Sequence, residues 1–106
     1  MKTIPCKLVT IIAEDDLEQR LVEDLKRLGA TGYTIFDVRG EGEHGVRGSR
    51  WEGENIQIET LVGDEIADAI LRHLAQHYFD KYAIVLYVTD ADVIRGAKYA
   101  GPRRAE

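Results

Sequence analysis

This chain of 106 residues has a single cysteine, no long apolar run and no excess of positive charge. Cys6 is the only cysteine, so no disulfide can form within the chain, as is typical of proteins of the reducing cytosol. The longest apolar runs fall far short of the roughly 20 residues that a membrane-spanning helix needs. Fourteen basic against nineteen acidic residues give a net charge of −5, which argues against a nucleic-acid partner. We therefore expect a soluble, cytoplasmic protein.

Glycine is concentrated in one stretch, since five of the ten glycines lie between Gly40 and Gly53. A loop of this length within a small domain is usually functional or disordered. Glycines allow backbone N–H groups to approach a ligand closely, and Arg47 and Arg50 carry forked donors that suit phosphate or carboxylate. The stretch indicates either an anion-binding loop, with a backbone nest near Gly40 and Gly42, or a solvated loop without a ligand.

The hydrophobic pattern predicts one domain, residues 1–106, with the element order βαββαβ. Right-handed crossovers then give an α+β, ferredoxin-like fold, in which both helices cover one face of a four-stranded antiparallel sheet. The first and last strands are apolar on both faces, so we expect the uncovered face to pack against other subunits. The predicted elements are strands at Lys7–Ala13, Tyr33–Arg39, Asn55–Val62 and Ala83–Thr89, helices that begin at Asp15 and Asp64, a turn at Asp90–Gly96 and an irregular tail at 97–106.

Candidate catalytic and metal-binding residues are few. His73 and His77 have the i, i+4 spacing of a helical zinc site, and His44 lies in the glycine-rich loop, but the sequence offers no clear third ligand. A position on the helix surface explains the pair better. No arrangement of serine, histidine and acid suggests a nucleophile, so we expect a binding protein rather than an enzyme, with no metal required. Glu59 can hydrogen-bond a base or a ribose.

Several short segments resemble the PII-like signalling proteins, and in particular the SbtB and carboxysome-associated subgroup. The segments that carry the resemblance are Gly29–Thr34 (GATGYT), Gly40–Gly42 (GEG), Val46–Arg47, Asn55–Ile56 and Tyr78–Ala83 (YFDKYA). The resemblance spans roughly Lys7 to Pro102. It implies a homotrimer of ferredoxin-like subunits, with an adenine nucleotide in each intersubunit cleft and a long T-loop, about residues 40–54, that contacts partners.

The resemblance also implies site residues and ligands. ADP or AMP is the expected nucleotide, with ATP or cAMP as other adenine ligands, and bicarbonate is a further expected ligand. The implied partner is a bicarbonate transporter or a carbon-fixation protein, which would bring this cytoplasmic protein to the membrane. The implied nucleotide-binding residues are Gly32, Thr34, Gly40, Gly42, Arg47, Glu59, Leu61, Tyr82, Ala83 and Arg95, and the implied bicarbonate-binding residues are Gly42, Glu43, Arg47 and Arg50.

The sequence departs from the nitrogen-type PII proteins at two places and from the SbtB proteins at one. Asp80–Tyr82 replaces their glycine-lysine phosphate loop, which disfavours tight triphosphate binding. The T-loop has no tyrosine for uridylylation, and the tail lacks the cysteine pair that SbtB proteins often carry. Two other interpretations remain open at this point: a PII-like sensor for another metabolite or transporter, and a metal-tolerance trimer resembling the CutA group.

Overall fold

A computed structural model describes residues 1–40, 54–95, 97 and 99 of the chain. Most of the predicted T-loop and most of the predicted tail therefore lie outside the described residues. Within them, no helix combines the length and the apolar character that a bilayer crossing requires. The elements are β1 (Ile4–Glu14), a 3-10 turn (Asp15–Leu17), α1 (Glu18–Leu28), β2 (Thr34–Val38), β3 (Asn55–Val62), α2 (Asp64–His77) and β4 (Val85–Val93).

The four strands form one antiparallel sheet in the order β2-β3-β1-β4. This order confirms the predicted α+β, ferredoxin-like fold. β1 lies between β3 and β4, which explains why its sequence is apolar on both faces. On one face of the sheet, Val9, Ile11 and Ala13 of β1 are buried in the core shared with both helices.

The helices contribute regularly spaced apolar residues to this core. Leu21 and Leu25 of α1 are almost fully buried, as are Ile70 and Leu74 of α2. Their spacing of four residues places each pair on one side of its helix. Tyr78 follows α2 directly, four residues after Leu74, and has no exposed surface, so the buried side of α2 continues past the end of the helix.

Several predicted element boundaries need correction. β2, at Thr34–Val38, is one residue shorter at each end than predicted. β4 runs from Val85 to Val93, so it begins two residues later than predicted. The predicted turn at Asp90–Gly96 is wrong for its first four residues, which continue the strand. β1 is also longer than predicted, at Ile4–Glu14, and its first residue pairs with Val93. The first helix is preceded by a 3-10 turn, with the α-helix itself beginning at Glu18.

The opposite face of the sheet is not covered by either helix, and we call it the helix-free face. Strand alternation and the pairing register place on it the apolar residues Leu8, Ile12, Phe36, Leu61, Val85 and Tyr87. Three of these large side chains, Phe36, Val85 and Tyr87, are 40–45% exposed in the isolated subunit. An apolar sheet face of this kind is typical of a subunit interface.

Gly29 ends α1 in a conformation that other residues rarely adopt. Its φ is +112°, and the N–H groups of Gly29 and Ala30 donate to the carbonyl oxygens of Lys26 and Leu25 at 3.2 and 3.0 Å. A Cβ at this position would lie 3.0 Å from Cδ1 of Ile66 on α2. We expect Gly29→Ala to lower the free energy of unfolding by about 1–2 kcal/mol.

Denaturant unfolding at one fixed protein concentration measures this effect. Gly32→Ala is the matched control, because a Cβ at Gly32 meets no atom within 4 Å and its φ is not positive. Equal losses of stability in the two variants would contradict the assignment of strain to Gly29.

Candidate functional site

A cavity of about 300 Å³ opens where the start of β2 lies beside β3 and β1. Four of the predicted nucleotide-binding residues line it, although they come from separate parts of the sequence. The pairing register explains how they meet, since Thr34 lies opposite Glu59 and Leu61 lies opposite Leu8. The lining residues are Leu8, Gly32, Tyr33, Thr34, Glu59, Thr60, Leu61 and Tyr99.

Hydrogen bonds fix the polar wall of the cavity. The buried hydroxyl of Thr60 donates to the carbonyl oxygen of Gly32 at 2.6 Å, which holds the segment before β2 against β3. Nε2 of Gln57 donates to Oε2 of Glu59 at 3.1 Å, two residues along the same face of the strand. The carboxylate of Glu59 is thus held beside apolar Leu61, an arrangement that can accept hydrogen bonds from a ligand while a planar group packs on the leucine.

Gly40 lies away from this cavity. Thr34 begins β2, whereas Gly40 follows its end at Val38, and the strand between them is about 13 Å long at the usual rise per residue. Gly40 therefore lies beyond the end of β2 that is far from the cavity, at the start of the predicted T-loop. The other predicted loop residues, Gly42, Glu43, Arg47 and Arg50, lie outside the described residues, as does His44.

Tyr82 and Ala83 lie near the opposite edge of the sheet, just before β4. β2 and β4 are the two edge strands, three strand spacings or about 14 Å apart. The structure therefore brings Gly32, Thr34, Glu59 and Leu61 together but does not bring Tyr82 and Ala83 to the same place within one subunit. Arg95 follows the end of β4 and has a φ of 64°, in the left-handed region.

Four of the cavity residues were not predicted: Leu8, Tyr33, Thr60 and Tyr99. Leu8 could have been found from the alternation of β1, because it occupies the helix-free face beside Leu61. Tyr33 stands between the two predicted residues Gly32 and Thr34. The position of Tyr99 could not be predicted, because the sequence after residue 96 has no hydrophobic period.

A second group of polar side chains, which we call the helix-side cluster, joins α1 to the end of α2. It consists of Arg20, Asp24, His73, Tyr78 and Tyr82. The hydroxyl of Tyr78 donates to Oδ2 of Asp24 at 2.5 Å, and Nε2 of His73 lies 3.2 Å from the same oxygen. Nη2 of Arg27 reaches Oδ1 of Asp24 at 2.6 Å.

These contacts shift two pKa values in opposite directions. Partial burial disfavours ionisation of Asp24, but hydrogen bonds from Tyr78 and Arg27, together with His73, outweigh it and hold the pKa of Asp24 below its ordinary value. Burial, and then the hydrogen bond to Asp24, raises the pKa of Tyr78 well above its ordinary value. The cluster is therefore most stable with an ionised Asp24 and a protonated Tyr78.

His73 and His77 do not form a metal site with other residues that the structure describes. Their ring centroids are 4.4 Å apart, and His73 is engaged with Asp24. Within residues 1–40 and 54–95, no group of three or more histidine, cysteine, aspartate or glutamate side chains could hold a metal ion.

The sequence matches the family described as nitrogen regulatory protein P-II over residues 6–98, which is most of the chain. The chain belongs to the P-II family. Its sheet, its two helices and its element order are those of that family.

Solved structures of PII-like proteins are similar over nearly the whole chain. A PII-like signalling protein from Thermus thermophilus is 55% identical with a TM-score of 0.81, and the match covers 93% of this chain and 99% of that one. CPII from Thiomonas intermedia, bound to ADP and bicarbonate, is 31% identical with a TM-score of 0.81, covering 92% and 97%. CPII bound to ADP, AMP and acetate is 29% identical with a TM-score of 0.80, covering 93% and 98%.

Proposed function

We propose that this P-II family protein is a trimeric sensor that binds ADP or AMP, together with bicarbonate, in clefts between its subunits. The observation that carries the proposal is the cavity at the start of β2, which gathers Gly32, Thr34, Glu59 and Leu61. The ligands of CPII, ADP with AMP or bicarbonate, support the choice of nucleotide and of the second ligand.

The positions of the remaining site residues support an intersubunit cleft. Gly32 and Glu59 lie toward one edge of the sheet, and Ala83 lies toward the other, so one small ligand does not reach both within a subunit. Proteins of the P-II family form trimers. Packing of the helix-free faces in a trimer would cover Phe36, Val85 and Tyr87 and bring the edge of one sheet to the opposite edge of the next.

The regulated process in this proposal is inorganic-carbon uptake or carbon fixation, as in the SbtB subgroup. The partner is a bicarbonate transporter or a carbon-fixation protein, contacted through the T-loop. Bicarbonate held at the loop base by Gly42, Glu43, Arg47 and Arg50 would order a glycine-rich segment. Ordering costs about 1–2 kcal/mol per residue, so we expect bicarbonate to bind weakly alone and more tightly once nucleotide is present.

Calorimetric titration with ADP, AMP, ATP and cAMP, each with and without millimolar bicarbonate at fixed pH, tests the proposal. We expect ADP and AMP to bind at least as well as ATP, and bicarbonate to raise the ADP affinity. Equal ADP affinities with and without bicarbonate would remove bicarbonate from the proposal. A lack of binding by all four nucleotides would refute it and favour a sensor for another metabolite.

The variant Glu59→Gln tests whether the cavity is the nucleotide site. It keeps the shape of the side chain but removes the charge of the acceptor, so we expect ADP to bind about tenfold more weakly or worse. Glu65→Gln, at an exposed position in the first turn of α2, is the matched control and should bind ADP as the unmodified protein does. Unchanged affinity in Glu59→Gln would place the nucleotide elsewhere.

A further inference from the structure

We propose that Arg20 is a positioning residue for the ligand site, because it holds Tyr82 against the helices and so fixes the turn that leads into β4. In this proposal Tyr82 is an anchor on the helix side of the subunit, and its side chain is not a ligand contact. The proposal rests on the proposed function, in which the Tyr82–Ala83 turn forms one wall of the intersubunit cleft.

The turn is tied to the end of α2 by its main chain. The N–H groups of Lys81 and Tyr82 both donate to the carbonyl oxygen of Tyr78, at 3.0 and 2.9 Å. Tyr78 is itself immobilised, since it is fully buried and its hydroxyl is bonded to Asp24 of α1. Any shift of the turn must therefore move the Tyr82 side chain relative to the buried Tyr78 ring.

Arg20 joins both tyrosines from the neighbouring helix. Its Nη1 donates to the hydroxyl oxygen of Tyr82 at 3.2 Å. Its guanidinium carbon lies 4.5 Å from the centroid of the Tyr78 ring and 5.8 Å from that of the Tyr82 ring, within the range of cation–π attraction. One arginine on α1 thus restrains the hydroxyl and the ring of a residue 62 positions later in the chain.

The packing of Tyr82 turns its side chain away from the helix-free face. Its ring centroid is 5.8 Å from that of Tyr78, and the side chain packs on the core between sheet and helices. A ligand that binds in a cleft between sheets would contact the turn from the helix-free side, opposite to the Tyr82 side chain. Tyr82 then contributes to binding indirectly, because it fixes the position of Ala83 at the end of the turn.

Arg20→Met tests this role, because methionine keeps an unbranched apolar stem while removing the donor and the charge. We expect ADP to bind about three- to tenfold more weakly, which is the range for one lost hydrogen bond. Arg27→Met is the matched control: Arg27 is on the same helix and bonds Asp24 without touching either tyrosine, and we expect its ADP affinity to be unchanged. The ADP affinities of both variants are measured at a temperature below their unfolding transitions.

Tyr82→Phe and the double variant separate positioning from direct contact. If Arg20 acts through the Tyr82 hydroxyl, Tyr82→Phe weakens ADP binding as Arg20→Met does, and the double variant is no weaker than either. A loss in Tyr82→Phe without a loss in Arg20→Met would overturn the proposal, because the hydroxyl would then contact the ligand itself. Unchanged affinity in both would also overturn it.

Amide hydrogen exchange gives a readout that does not depend on the ligand. We expect faster exchange across residues 79–84 in Arg20→Met than in Arg27→Met, with the sheet unchanged. Equal exchange in this turn would refute the claim that Arg20 fixes it. If the unmodified protein bound no adenine nucleotide, the proposed function would fail, and the exchange result would still decide whether Arg20 holds the turn.

Discussion

Replacing Tyr87 with glutamate is expected to convert the protein from trimers to monomers and to abolish nucleotide binding. Tyr87 lies on the helix-free face opposite Thr10 of the central strand, and it is 45% exposed in the isolated subunit. In a trimer the variant would bury three unpaired carboxylates, each at a cost of several kcal/mol. Light scattering should then give the 11.9 kDa monomer instead of three times that mass.

The loss of assembly should remove the clefts as well. We expect ADP affinity to fall more than about 100-fold, equivalent to about 2.7 kcal/mol per site. Gln76→Glu adds the same charge at an exposed position of α2 and should remain a trimer with normal ADP binding. A circular dichroism spectrum checks that Tyr87→Glu is folded. A folded Tyr87→Glu variant that still forms trimers would contradict the assignment of this face to the interface.

Alkaline pH is expected to destabilise the protein through Tyr78. An unfolded tyrosine ionises near pH 10, whereas burial and Asp24 raise the pKa of Tyr78 in the folded protein. The stability that protonated Tyr78 contributes is therefore complete below about pH 10 and is lost as pH rises toward the folded pKa. The free energy of unfolding should fall by up to about 1.4 kcal/mol per pH unit in that window.

Tyr78→Phe should remove this alkaline loss and lower stability at neutral pH instead. Without the hydroxyl, Asp24 loses a donor in a partly buried position, which costs about 1–3 kcal/mol. Tyr33→Phe, at an exposed tyrosine, is the control and should keep the alkaline slope of the unmodified protein. Urea unfolding from pH 8 to pH 11 at one protein concentration measures all three. Equal slopes in Tyr78→Phe and the unmodified protein would contradict the role of Tyr78.

Most of the fold could be predicted from the sequence because the apolar periods are regular. The alternation of Ile56, Ile58 and Val62 with Gln57 and Glu59, followed by Gly63 and Asp64, predicts β3 with both of its ends correct. The end of β4 could not be predicted, since Asp90 and Asp92 resemble turn residues. In the structure β4 is an edge strand, and Asp90 is paired with Lys7 of β1 at 2.5 Å.

The residues of the candidate site could be predicted from the sequence only where they lie on regular strands. Thr34, Glu59 and Leu61 face one cavity because strand alternation and register determine which residues share a face. Tyr82 contacts Arg20 on α1 and the ring of Tyr78 just after α2, two residues that are far apart in the sequence. No local pattern in the sequence predicts a contact between residues that far apart in the chain.

If the ligand is shared between subunits as we propose, with Gly32 and Glu59 toward one edge of a sheet and Ala83 toward the other edge of the next, ligand occupancy and assembly are interdependent. A ligand that binds only the assembled clefts stabilises the trimer by about 2.7 kcal/mol per site when its free concentration is 100 times its dissociation constant. The reverse also holds, because dilution that separates the subunits lowers the apparent affinity for the ligand. Cellular abundance of the chain would thereby set its sensitivity to the nucleotide, in addition to the chemistry of the cleft.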